Sequence, residues 1–106
     1  MFIALESALD VIARLEPLEP KIRRRRKSLA DEIVRSSESI ALNLAEGRSR
    51  VGLDRPDLYR RAAGSAGELT AALRIAAARG YITAADFAHV EEQLDQVRAM
   101  LWRLTH

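Results

Sequence analysis

The 106 residues carry 17 basic and 15 acidic side chains, no cysteine and a formal net charge of +2. That length suits one compact domain with one core. The lack of cysteine excludes disulfides, thiolate zinc sites and cysteine nucleophiles, and no apolar run approaches the roughly 20 residues that span a bilayer.

The N-terminal stretch Met1-Phe2-Ile3-Ala4-Leu5-Glu6 has no basic n-region and meets a charge at Glu6, unlike a signal peptide. A cytoplasmic protein is the expectation. The charge is uneven: residues 1–20 are net −3, residues 21–61 net +6 and residues 62–106 net −1. A local basic field matters more to a polyanionic partner than the total charge does.

Phe2, Leu5, Leu9, Ile12 and Leu15 follow the spacing of an apolar helix stripe, and Pro17 and Pro20 end it. Helix one is expected over about 2–16. Lys21 to Lys27 then holds six cations in seven residues. Ser28 with Asp31 is a candidate N-cap pair, so helix two runs either from 21 or from 28 to 46, with the basic run as its first turn or as a loop. Cations oppose the dipole at a helix N-terminus, which favours the later start. Leu29, Ile33, Ile40 and Leu44 carry its core face, and Gly47 suits the left-handed C′ position.

Arg48 to Arg55 reads as a surface loop containing Gly52. Asp54 is a candidate N-cap, with Pro56 at the first position of helix three, about 56–79. Its apolar stripe includes Leu58, Ala62, Leu69, Ala72 and Ala76, and Gly80 stops it. Gly64 and Gly67 inside this helix cost about 1 kcal/mol each relative to alanine, which a closely approaching backbone would offset. Thr83 caps helix four, about 84–104, with Asp86 at N3. Phe87, Val90, Leu94, Val97, Leu101 and Leu104 form a three-four seam. Four helical segments with short links and no strand pattern give an all-α, single-domain, up-down-up-down four-helix bundle over residues 1–106.

Two blocks carry a family resemblance. Ser39-Ile40-x-x-Asn43-Leu44-Ala45-Glu46-Gly47 resembles the signature S-I-x-x-N-I-A-E-G of the proteins named after 23S rRNA intervening sequences, with Arg35 and Leu29 also in place. Tyr59-x-x-Ala62-Ala63-Gly64-Ser65-x-x-Glu68-Leu69 resembles that family's second block, although Ala63 stands where Arg is common; Arg60 or Arg61 is a candidate substitute from the previous turn. Gly80-Tyr81-Ile82 and the final seam complete the outline over about 28–104. The resemblance implies a small non-enzymatic bundle that assembles as a homo-pentamer. Some relatives are accessory proteins of diversity-generating retroelements, binding nucleic acid and a reverse transcriptase, and others are encoded inside ribosomal RNA genes.

The first block places small polar groups beside the core stripe of helix two, and the second does so on helix three. In an antiparallel pair, Arg35, Ser39, Asn43, Glu46, Gly47, Gly64, Ser65 and Glu68 would form an inter-helix polar seam that fixes register. Glu46 and Glu68 could instead be an acid/base or metal pair, but His89 and His106 are the only histidines and neither lies in a Glu-x-x-His motif. No metal, cofactor or catalytic residue is expected. Lys21, Arg23, Arg24, Arg25, Arg26 and Lys27, with Arg48, Arg50 and Arg55, are the candidates for contact with an RNA or DNA backbone. These two clusters would lie at opposite ends of helix two, ~30 Å apart for twenty residues. A cyclic oligomer would repeat each as a charged ring. The alternative function is a protein–protein adaptor with one cognate partner. Trp102, with Met100 nearby, is either edge-of-core or an oligomer contact.

Overall fold

The computed structural model describes residues 1–50 and 54–106. Among them the chain forms α1 (Ile3–Leu15), α2 (Glu19–Arg25), α3 (Lys27–Ser49), α4 (Asp54–Ala78) and α5 (Ala84–Thr105). No strand occurs among the described residues.

The region expected as helix two is two helices. Glu19 and Pro20 open α2, where the missing N–H of proline removes a donor that would be unpaired anyway. Pro20 therefore starts a helix as well as following the end of α1. Arg26 is extended (φ −158°, ψ 101°) and separates α2 from α3. It occupies the N-cap position of α3, so Ser28 is not the cap. Asp31 turns to Arg23 at 2.8 Å and to Lys27 at 3.6 Å instead. The break has an electrostatic reason. It puts Arg23, Arg24 and Arg25 in the last turn of α2, where the dipole favours cations, instead of in the first turn of a longer helix, where it opposes them.

α3 continues through Gly47 to Ser49, so Gly47 is not a left-handed C′ residue. The only described residue with positive φ is Gly80, at 74°. A Cβ on Gly47 would fall 2.6 Å from Cε1 of Tyr59: the glycine makes room for a ring. Arg55 closes the end of α3, donating from Nε to the Gly47 carbonyl at 3.0 Å and from Nη2 to the Arg48 carbonyl at 3.3 Å. α4 starts at Asp54. Asp54 is thus its first residue and not its N-cap, and Pro56 is its third. The expected loop over 48–55 contracts accordingly, and Gly52 lies outside the described residues.

The C-terminus of α4 is a Schellman turn. Tyr81 donates its N–H to the Ala76 carbonyl at 2.9 Å and Gly80 donates to Ala77 at 3.0 Å. α5 begins with a complete capping box, Asp86 N–H to Thr83 Oγ1 at 3.0 Å and Thr83 N–H to Asp86 Oδ2 at 3.1 Å.

The four long helices close a ring in which α1 packs on α3, α3 on α4, α4 on α5 and α5 on α1, while α2 lies on α3. Each neighbour in the ring runs antiparallel. Ser39 faces Ser65 and Gly47 faces Tyr59 across α3 and α4. Arg98 reaches Thr70 between α5 and α4, and Arg14 reaches the His89 carbonyl between α1 and α5. The body measures 43 × 23 × 21 Å. Ile33, Ile40, Leu44, Leu69, Leu73, Leu94 and Leu101 are fully buried along its axis, each stabilising the fold by about 1.5–3 kcal/mol relative to exposure.

Candidate interaction surfaces

Two cross-helix contacts make up the polar seam. Ser39 and Ser65 share a hydrogen bond of 2.8 Å between hydroxyls. One turn back on α3, Arg35 reaches Glu68 of α4 and holds Glu32 at 2.8 Å. The Arg35 hydrogen bond keeps the Glu68 carboxyl below its ordinary range. Ser36 and Ser37 are buried on α3 but bond to their own helix, at the carbonyls of Glu32 (2.8 Å) and Val34 (3.0 Å). Among the described residues no buried side-chain polar atom is left without a partner.

The remaining seam candidates do not cross to α4. Asn43 donates back to the Ser39 carbonyl at 2.9 Å and to its hydroxyl at 3.1 Å. Glu46 pairs with Arg50 at 3.0 Å. Gly64 is exposed, with no atom within 4 Å of where its Cβ would sit, and Gly67 is the same. The closely approaching backbone expected over these two glycines is absent among the described residues. Since Glu68 lies beside Arg35, Glu46 stands eleven residues further along α3, roughly 16 Å away along the axis. The two carboxylates are not a pair, and no group of three potential metal ligands occurs among the described residues.

Register explains this outcome. Ser39 and Arg35 stand opposite polar groups of α4, Ser65 and Glu68, whereas Asn43 and Glu46 bond within α3 and Leu42 is exposed. With Arg35, Glu38 and Ser39, these last three line an open depression of about 420 Å³ on the surface of α3. Leu42 is 69% exposed there. Half of the first motif thus faces outward, while Ile40, Leu44 and Gly47 face inward.

The basic run is helical except at Arg26, and its cations differ in what they do. Lys21 reaches Asp86 at 3.4 Å, tying α2 to α5. Arg23 bonds both Glu19 and Asp31, and holds the Asp31 carboxyl below its ordinary range. Arg25 lies over the Tyr81 ring, 5.0 Å from its centre. Lys27 faces Asp31. Arg24 is exposed and makes no described ion pair, and Arg26 bonds only the Ser28 hydroxyl, at 3.4 Å. At the far end of α3, Arg48 lies 5.0 Å from the centre of the Phe2 ring, Arg50 holds Glu46 and Arg55 caps the helix. The two clusters are at opposite ends of the bundle, as expected from helix length.

Two exposed groups were not singled out by sequence reasoning. Leu42 belongs to the motif but sits one residue off the core stripe, and that offset was the available signal. Arg74 in α4 and Arg79 just after it are isolated arginines at the end of the bundle where the basic run lies. Trp102 is 61% exposed and stacks on His106, with ring centres 3.4 Å apart. It borders an apolar groove of about 220 Å³ between α4 and α5 that includes Ala63, Gly67 and Leu101.

The model of the 23S rRNA-intervening sequence protein family matches residues 3–103. The chain belongs to that family. A solved structure from Bacteroides thetaiotaomicron, a protein with unknown function from the S23 ribosomal protein family, has the same fold. The two are 19% identical, with a TM-score of 0.87 over 96% of this chain and 97% of that one. No curated protein matches the chain. The match takes in the whole of α1 and α2 as well as the two motif blocks. No helix among the described residues is long and apolar enough to cross a membrane.

Proposed function

We propose that this protein is a non-enzymatic scaffold of the cytoplasm that self-associates and holds the phosphate backbone of nucleic acid. The observation that carries the reading is the basic run itself. It spans α2 and the link to α3 at one end of a bundle 43 Å long, with Arg24 and Arg26 exposed and bonded to no described carboxylate. Such guanidiniums attract phosphates without reading bases. Self-association is supported by the outward half of the first motif, with Leu42 exposed at its centre, and by the uncovered glycines of α4. A homo-pentamer is the size suggested by the resemblance, and a reverse transcriptase is one partner that it suggests.

The test is retention of the purified protein on single- and double-stranded nucleic acid at low salt. Arg24→Gln/Arg26→Gln is expected to lose most retention, with a weaker dependence on salt. Equal retention of variant and parent would remove the reading. A protein–protein adaptor is the second reading, favoured by Trp102 beside the apolar α4–α5 groove. A partner that stays bound after nuclease treatment and is lost in Trp102→Ala would support it.

A further inference from the structure

We infer, resting on the nucleic-acid reading above, that the phosphate contacts come from one end of the bundle only, and that Arg79, the residue after α4, shares them with Arg24 and Arg26. The sequence offers two basic clusters and the structure distinguishes them. At the C-terminal end of α3 the expected cations are engaged within the chain: Arg48 covers Phe2, Arg50 holds Glu46, and Arg55 donates to the carbonyls of Gly47 and Arg48. At the other end, Lys21, Arg23 and Lys27 are also paired with carboxylates, and Arg25 covers Tyr81. Arg24 and Arg26 are left over.

Arg26 does not stand alone. With Ser28, Leu29, Glu32 and Ile75 it lines a groove of about 210 Å³ where α3 meets α4. Glu32 is held by Arg35 at 2.8 Å, and Ile75 is 43% exposed. Arg79, the residue after α4, donates its backbone N–H to the Ile75 carbonyl at 2.9 Å and so continues that face by one turn. It is exposed and forms no described ion pair. The Arg26 guanidinium, on the link from α2 to α3, thus lines a groove with one apolar wall, and Arg79 follows one turn beyond that wall. Phosphate oxygens would meet the guanidiniums in planar, charge-assisted hydrogen bonds, and a sugar would lie against Ile75.

The experiment measures binding of a fluorescent 30-nucleotide strand and the matching duplex across a salt series. It compares the parent, Arg24→Gln/Arg26→Gln, that pair with Arg79→Gln added, and Arg48→Gln/Arg60→Gln/Arg103→Gln. The last variant removes the same charge as the Arg24/Arg26/Arg79 triple but from the opposite end, where Arg60 and Arg103 are exposed. The Arg24/Arg26/Arg79 triple is expected to bind about tenfold or more weakly, with its salt slope reduced by roughly two to three. The opposite-end triple is expected to stay near the parent, and adding Arg79→Gln to the pair is expected to weaken binding further. Circular dichroism confirms that each variant is folded. Equal losses in the two triples, or no added effect of Arg79→Gln, would overturn the one-ended site while leaving nucleic-acid binding intact. A parent that binds neither probe would overturn the nucleic-acid reading and the site with it.

Discussion

Tyr59 lies against Gly47 so closely that an added methyl would fall 2.6 Å from Cε1 and 2.9 Å from Cδ1 of the ring. The ring is 5% exposed and meets Phe2 at 6.3 Å between centres. One glycine on α3 therefore sets how near α4 and the start of α1 can come. Gly47→Ala gains up to about 1 kcal/mol of helix propensity but overfills a packed site, typically at a cost of 1–3 kcal/mol. The backbone and ring are both held, so the clash wins. Chemical denaturation is expected to show a lower midpoint for Gly47→Ala, with much of the loss recovered in Gly47→Ala/Tyr59→Leu.

The same substitution on α4 should act in the opposite direction. Nothing lies within 4 Å of the Cβ position of Gly67, so Gly67→Ala meets no obstacle in the single chain. It is expected to stabilise the fold by about 0.4–1 kcal/mol by restricting the unfolded state, read as a higher denaturation midpoint at low protein concentration. A loss of stability there would mean that another surface packs on that glycine.

Leu42 offers a direct test of self-association. Its side chain is 69% exposed and is not part of the core. Leu42→Asp is expected to leave the denaturation midpoint of the dilute protein within about 0.5 kcal/mol, while light scattering falls to the mass of a smaller species. An unchanged mass would place the contacts between copies elsewhere.

Acid sensitivity follows from three carboxylates. Asp86 is held low first by the Thr83 N–H of the capping box, Asp31 by Arg23 and Glu68 by Arg35. A carboxyl with a lower pKa folded than unfolded is stabilising above its unfolded value, and that contribution disappears as pH falls through the folded value. Stability is therefore expected to be flat from neutral pH down to about 4 to 5 and to decline below it. All three groups are solvent-accessible, so the effect per group is small. Asp86→Asn should reduce the slope of the acid limb in a thermal melt followed from pH 7 to pH 2.

What was legible in the sequence obeyed short-range rules. The α5 seam places Val90, Leu94, Val97 and Leu101 in the core, and Thr83, Asp86 and Gly80 mark their boundaries through bonds spanning five residues or fewer. The break at Arg26 was not legible. Lys21 and Arg25 find their partners at Asp86 and Tyr81, some sixty residues away, and no local pattern shows that the run is neutralised there. The two motif blocks were correctly placed on neighbouring antiparallel helices, yet the register decides which members meet. Ser39 meets Ser65 and Arg35 meets Glu68, whereas Asn43 and Glu46 bond within α3. Gly47 and Gly67 look alike as letters. One faces an aromatic ring and the other faces nothing.

The ring of antiparallel helices also has a kinetic meaning. From α3 onward each long helix packs on the one before it in the chain, and α1 lies on α3 with only α2 between. These hairpins need only short loops to close, and such topologies fold in microseconds to milliseconds. The docking of α1 on α5 is the exception: Arg14 and the His89 carbonyl meet at 2.8 Å across 75 residues. Joining the two ends of the chain is then the slow, entropically costly step. The α3–α4 hairpin should already be formed when it happens, and α1 should be the first helix to detach when the protein is strained.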